Sequence, residues 1–314
     1  MDPGTETRAT AREPRQFSES RAWPEVLAIW VLLAVVAIEV LVTYWRIPPS
    51  ELYHVHEHGA ANGASRTLTF LNFPAAMIAI ATLVSSYERR PRRWTAAVAL
   101  AALVLCAFAF VPGVVRESNL DARPINAAAA VGVLLAVFLS LGRPRPWRPL
   151  PGDRLRLAVV VALVLVALPW IAANLGFSFG GVPVLGQIFQ TNELRSQPGV
   201  AGLHPAVHLG HHHGLDGLLL AVSALLALRV PIRQPALRVA ATAYAALLLA
   251  WGVANIVNDA WLEQVVKRGW TTTEVPGVLS LHWNWTWAAV VLGAIAVFAT
   301  DYFSRSSIHS DIGT

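Results

Sequence analysis

Five of the ten histidines of this chain fall within ten consecutive residues, at His204, His208, His211, His212 and His213, and Asp216 follows three residues later. A second group, His54, His56 and His58, alternates along residues 54–58 with Glu57 among them, and His282 stands alone nearer the C-terminus. Imidazole is the commonest neutral nitrogen ligand for zinc, iron, copper and nickel, and carboxylates complete such sites as ligands or as partners that orient a ring. Helical spacing orders the first group. Pro205 suits the first position of a helix, and at about 100° per residue His208 and His212 share a face. Asp216 lies a turn beyond His212, His211 and His204 fall on the same broad arc, and His213 points nearly opposite. The expected ligands are His208 and His212 first, then Asp216, His211 and His204. Alternation puts His54, His56 and His58 on one side of an extended segment, which suits a ligand strand or a lid.

Two partial resemblances rest on these residues. The run His204-x3-His208-x2-His211-His212 resembles two overlapped histidine boxes of the membrane fatty-acid desaturases and hydroxylases, which implies a centre of two irons held by many histidines. That family's boxes are well separated and face the cytoplasm. The stretch Gly214-Leu215-Asp216-Gly217, with Leu218, Leu219, Leu220 and Ala221 after it, is similar to a helix start in the nickel and cobalt permeases of the hydrogenase and urease accessory group. There a histidine follows the aspartate, and here Gly217 takes its place. Neither resemblance assigns the chain to a family.

The elements that must position these residues are read from composition. The 314 residues are 55% hydrophobic and 14% charged, with a mean hydropathy of +0.51, where a soluble domain carries about 25% charged residues. The expected fold is all-α, a polytopic integral membrane helix bundle in the lipid bilayer. The single cysteine, Cys106, excludes an intramolecular disulfide and a thiolate cluster. No phosphate-binding loop, serine-nucleophile elbow or nucleic-acid motif is present. Arginine carries nearly all the positive charge, Lys267 being the only lysine, which fits a high-GC bacterial genome and a bacterial plasma membrane.

About eight apolar stretches are long enough to span, at residues 23–45, 68–87, 95–115, 125–141, 155–175, 205–228, 237–258 and 278–303. They form a single transmembrane domain over 23–303, with a disordered cytoplasmic tail at 1–22 and a cytoplasmic tail at 304–314. Seventeen of the 24 Lys and Arg residues fall in alternate loops and seven in the others, which orients the chain N-in and C-in. The histidines other than His309 then share the outer face. The longer outer segments, 47–67, 176–202 and 260–277, are expected to be loops that carry function. Asp121 and Arg123 are expected to form a local salt bridge.

An acid within an apolar span is costly, about 2.5–3.5 kcal/mol for Asp at a helix centre, and marks function. Glu39, in the first span, and Asp216 are the candidate catalytic residues, moving protons beside the metal. The expected function is a metal-dependent enzyme, a water-activating hydrolase or an oxygenase, acting on a lipid-like or small-molecule substrate at the outer face. Zinc is the expected ion and iron the second choice. The alternatives are a divalent-metal permease, or a non-catalytic sensor of metal or pH or an assembly factor. Trp251, Asn255 and Asp259, spaced by four, and the tryptophans of 283–287 are expected to line the outer ends of their spans.

Overall fold

A computed structural model describes residues 21–47, 56–87, 93–114, 119–177, 181–189, 194–197, 200–205, 213–278 and 283–310. It is mostly helical (75%). The helices are α1 (Pro24–Arg46), α2 (Gly59–Phe70), α3 (Asn72–Ser86), α4 (Arg93–Ala107), α5 (Pro124–Ser140), α6 (Asp153–Asn174), α7 (Leu185–Phe189), α8 (His213–Ala227), α9 (Pro235–Trp261) and α10 (Trp285–Ser310). The short strands β1 (Arg21–Ala22) and β2 (Arg143–Pro144) pair in parallel, and β3 (Leu194–Gln197) and β4 (Val200–Pro205) pair antiparallel. Four helical stretches are long and apolar enough to cross a membrane: α1, α4 with the 3-10 turn that follows it, α6, and α9 with the π-helical turn Leu262–Val266. The bent pair α2–α3 makes a fifth, and α5, α8 and the first part of α10 are shorter apolar helices.

Each of the eight expected stretches contains helix, but boundaries move in three parts of the chain. The expected loop over 47–67 gives way to α2 from Gly59 onward. This helix is poor in large apolar residues, and its buried positions are Asn62, Gly63, Ser65, Arg66 and Thr69. Its small residues let it lie close along α1, where Asn62 Nδ2 donates to the Tyr44 carbonyl at 2.7 Å. At Leu71 it bends by 54° into α3, just before Pro74, whose ring leaves the preceding turn without one backbone donor.

The second change is at the histidine run. Pro205 does not start a helix: it ends β4, opposite Leu194, with His204 opposite Arg195. A proline at the end of a strand withholds no ladder donor that the hairpin needs. Among the described residues, α8 starts at His213. The helical arc that joined His204 to His212 therefore does not include His204, and residues 206–212 lie outside the described residues. The third change is that α9 continues past 258 to Trp261 and through the π-helical turn, and α10 continues past 303 to Ser310.

The core is built from α1, α3, α8 and α9 around Val26, Ile29, Val40, Ile78, Leu219 and Leu248. Trp30 Nε1 donates to Ser140 Oγ at 2.7 Å and ties α1 to α5. At one end of the bundle the Arg-rich connectors are pinned down. Arg229 is buried between Glu25 Oε1, at 3.2 Å, and Asp153, donates to the Arg148 carbonyl at 2.8 Å, and lies 4.2 Å from the centre of the Trp147 ring. Arg145 stacks over Trp23 at 3.9 Å beside the β1–β2 pair.

Candidate functional site

The opposite end of the bundle gathers the residues of interest, and four contacts define it. The end of α1 meets the end of α6, because Arg46 Nη2 donates to the Asn174 carbonyl at 3.0 Å. The start of α2 meets the end of α1 through Asn62 and Tyr44. The start of α8 meets the end of α9, where the Gly214 backbone N–H donates to Asp259 Oδ2 at 2.9 Å. That carboxylate answers the unpaired N–H groups and positive dipole end of α8. Finally, the Trp170 ring of α6 covers Gly214, where a Cβ would run into it. His56, His58 and His213 all belong to this end.

α1 divides the end into two flanks. Ala37, Leu41, Tyr44 and Trp45 face α2, while Glu39, Thr43 and Arg46 turn toward the end of α6. On the α6 flank, Thr43 Oγ1 lies 3.1 Å from Glu39 Oε1 and 3.0 Å from the Asn174 carbonyl oxygen, within donating distance of both. Asn174 itself is 1% exposed. Neither its amide nitrogen nor its amide oxygen has a hydrogen-bond partner among the described residues. It stands one helical turn beyond Trp170 on the same face of α6. Asp216 lies half-buried in the first turn of α8.

On the α2 flank, Asp121 is gripped from two sides. His56 donates to it from its backbone N–H (3.3 Å to Oδ1), and its ring Nδ1 lies 2.7 Å from Oδ2. Arg66, wholly buried, forms an ion pair with the same carboxylate and donates to the Leu120 carbonyl, while its Nε donates to Asn62 Oδ1 at 3.2 Å. Ser65 Oγ accepts from the Ala122 N–H at 2.6 Å. Partial burial favours the neutral form of Asp121, but the His56 hydrogen bonds and the Arg66 charge outweigh it and hold this carboxyl below the usual range. The expected Asp121–Arg123 bridge is thus replaced. Arg123 turns away to the Gly113 and Val114 carbonyls, and its backbone N–H is taken by Asn126 Oδ1 at 2.8 Å.

Of the expected ligands, His54, His208, His211, His212 and His282 lie outside the described residues. His56 and His58 are exposed on the α2 flank. His204 lies on β4. Among the described residues no three histidine, cysteine or acidic side chains are grouped closely enough to hold a metal ion. The series Trp251, Asn255, Asp259 has structural partners: Trp251 Nε1 donates to the Val278 carbonyl at 2.9 Å, Asn255 Nδ2 to the Trp251 carbonyl at 3.0 Å, and Asp259 caps α8. The sequence reading missed Arg66 and Glu263, both buried. The signal for Arg66 was Asn62 four residues earlier, a second polar residue on the same helical face. No family model, curated protein or solved structure matches the chain.

Proposed function

We propose that this chain is an eight-span integral membrane protein with both termini inside, and that it holds a divalent metal ion at its outer face for a reaction on a lipid-like or membrane-presented substrate. Zinc is the first choice of ion and iron the second. The orientation is supported by the arginine-rich connectors, which gather with the buried Arg229 cluster at the end away from His56, His58 and His213.

The observation that carries the metal reading is Asn174. An amide left without partners in an apolar interior costs about 1–3 kcal/mol, so its donor and acceptor are spare capacity for a polar ligand. Thr43, with Glu39 within its reach, meets the backbone carbonyl of the same residue, and the chain runs into α8 from His208, His211 and His212. Spacing and connectivity make those three histidines the proposed ligands, with Asp216 next. A bound zinc ion would supply a water acidified to near neutrality. Glu39, its Oε1 within reach of the Thr43 hydroxyl, is the group that takes the proton. The Asn174 amide orients the polar head of the substrate.

Metal analysis of the purified full-length protein tests this. Metal is expected in the wild type and lost in His208→Ala and His212→Ala. A metal-free wild type, prepared without chelator, sinks the reading, and zinc uptake into liposomes reassigns the protein as a permease. Cysteine labelling tests orientation. Cys106 is buried and silent, so exposed positions at the two ends can be compared, Leu150→Cys and Thr272→Cys. Only Thr272→Cys is expected to label from outside.

A further inference from the structure

We propose that His56 is a preset zinc-class ligand on the α2 flank of α1, that Asp121 is its positioning residue, and that His58 is the second imidazole of the same surface site. This stands on its own observation, on the other side of α1 from Asn174, so it and the α6-flank reading can fail separately.

Among the described residues, the ring of His56 is held at one nitrogen only. To donate to the Asp121 carboxylate across 2.7 Å, Nδ1 must carry the proton. That leaves Nε2 with a free lone pair, which is the tautomer a metal ligand needs. The side chain is 72% exposed, so Nε2 is open to an ion from solution. A second bond, from the His56 backbone N–H to the same carboxylate, fixes the main chain as well as the ring.

The support behind Asp121 is stronger than a loop latch requires. Ser65 already holds the loop at Ala122, and the Asp121 N–H already has Asn119 Oδ1 at 2.8 Å. Burying the Arg66 guanidinium completely is expensive and tolerable only with good partners. Its effect is to keep Asp121 ionised and pointed at His56. Carboxylate–histidine pairs of this kind set the tautomer and raise the basicity of metal-bound imidazoles. His58 follows two residues later with an extended backbone, φ −127° and ψ 149°. In extended chain that spacing puts both rings on the same side. Two imidazoles with water completing the shell suit zinc or cobalt(II), and not a hard cation such as calcium.

The test uses the full-length protein in detergent with 15N-labelled histidine and Zn2+ as the probe. The His56 signals are identified by their disappearance in His56→Ala. The expected spectrum has the proton on Nδ1 and a shift of Nε2 alone when zinc is added. His56→Ala and His58→Ala are expected to remove this zinc-binding event. Asp121→Asn is expected to weaken it about 10–100-fold and to scramble the tautomer. Asp121→Asn also strips Arg66 of its counter-charge, so the exposed His56→Ala is the arm free of that effect. Zinc binding unchanged in His56→Ala, or a His56 ring protonated on Nε2 with Nδ1 bare, overturns this proposal and leaves the α6-flank reading standing. A wild type that takes no zinc overturns both.

Discussion

Gly217 of α8 lies so close to Gly252 of α9 that a Cβ on Gly217 would stand 2.5 Å from the Gly252 carbonyl oxygen, and a Cβ on Gly252 2.6 Å from that of Gly217. Between apolar helices in lipid, close approach through small residues replaces the hydrophobic effect as the source of attraction. It also decides one resemblance, since an imidazole at position 217, as in the nickel and cobalt permeases, has no room here. Gly217→Ala is expected to force α8 off α9 at a cost of about 1–3 kcal/mol. Gly293→Ala is the control, because its Cβ would meet Ala250 at an ordinary 3.5 Å. Thermal unfolding in detergent should separate the two, and equal midpoints for both variants and wild type refute the crossing.

At the arginine end, Arg229 and Glu25 are 4% and 5% exposed, and the guanidinium also serves Asp153. Arg229→Leu leaves the buried Glu25 without its cation, while Asp153 keeps Arg156 at 3.1 Å, and is expected to cost about 3–5 kcal/mol. Glu25→Gln leaves Arg229 with Asp153 and should cost distinctly less. Adding Glu25→Leu to Arg229→Leu should restore part of the loss, which a double-mutant cycle on unfolding midpoints measures. Additive losses would mean that the two side chains do not interact.

What was legible in the sequence follows from where apolar residues run unbroken. α1 and α6 are apolar nearly all round, and their ends fall within two residues of the expected ones. α2 was read as loop because its buried face is the polar one: Asn62 bonds to α1, Ser65 and Arg66 bond to the 120–122 loop, and Thr69 is buried beside them, and no window of hydropathy reports a helix that buries its polar side. The pairing of Arg66 with Asp121 spans 55 residues of sequence, whereas Arg123 lay two residues away and drew the obvious but incorrect bridge. The histidine run misled at Pro205, where a helix-start signal was also compatible with the end of a strand. Glu39 and Asp216 drew notice because an acid in an apolar run stands out. Asn174 stood at the end of its span and gave no sign that its amide would be buried unmet.

The grip on Asp121 makes a pH prediction. Its carboxyl is held below the usual range in the folded protein, so the stabilisation is fully present above the unfolded value, about 3.9, and is lost as pH falls through the lowered folded value. The difference in unfolding midpoint between wild type and Asp121→Asn is therefore expected to be constant from neutral pH down to about 5 and to shrink below about 4, on that same reference. Taking the difference cancels the other carboxyls. A gap that persists to pH 3 would place the stabilisation elsewhere than in the ionised Asp121.

Asn174 allows an experiment in which stability and binding move in opposite directions. Leucine has nearly the shape of asparagine and no polar atoms, and replacing an unmet buried polar group by an apolar one of like shape is neutral or stabilising. In metal-free protein, Asn174→Leu should hold or raise the unfolding midpoint. In protein loaded with zinc the same change should lower metal occupancy and erase the stabilisation that zinc gives, because the proposed site loses its amide. The Asn174 carbonyl, which serves Thr43 and Arg46, belongs to the backbone and survives the substitution. Any loss therefore belongs to the side chain alone. If Asn174→Leu instead destabilises the metal-free protein by about 1–3 kcal/mol, the amide is satisfied there by ordered water. The amide then has a structural role, and the metal must be sought away from α6.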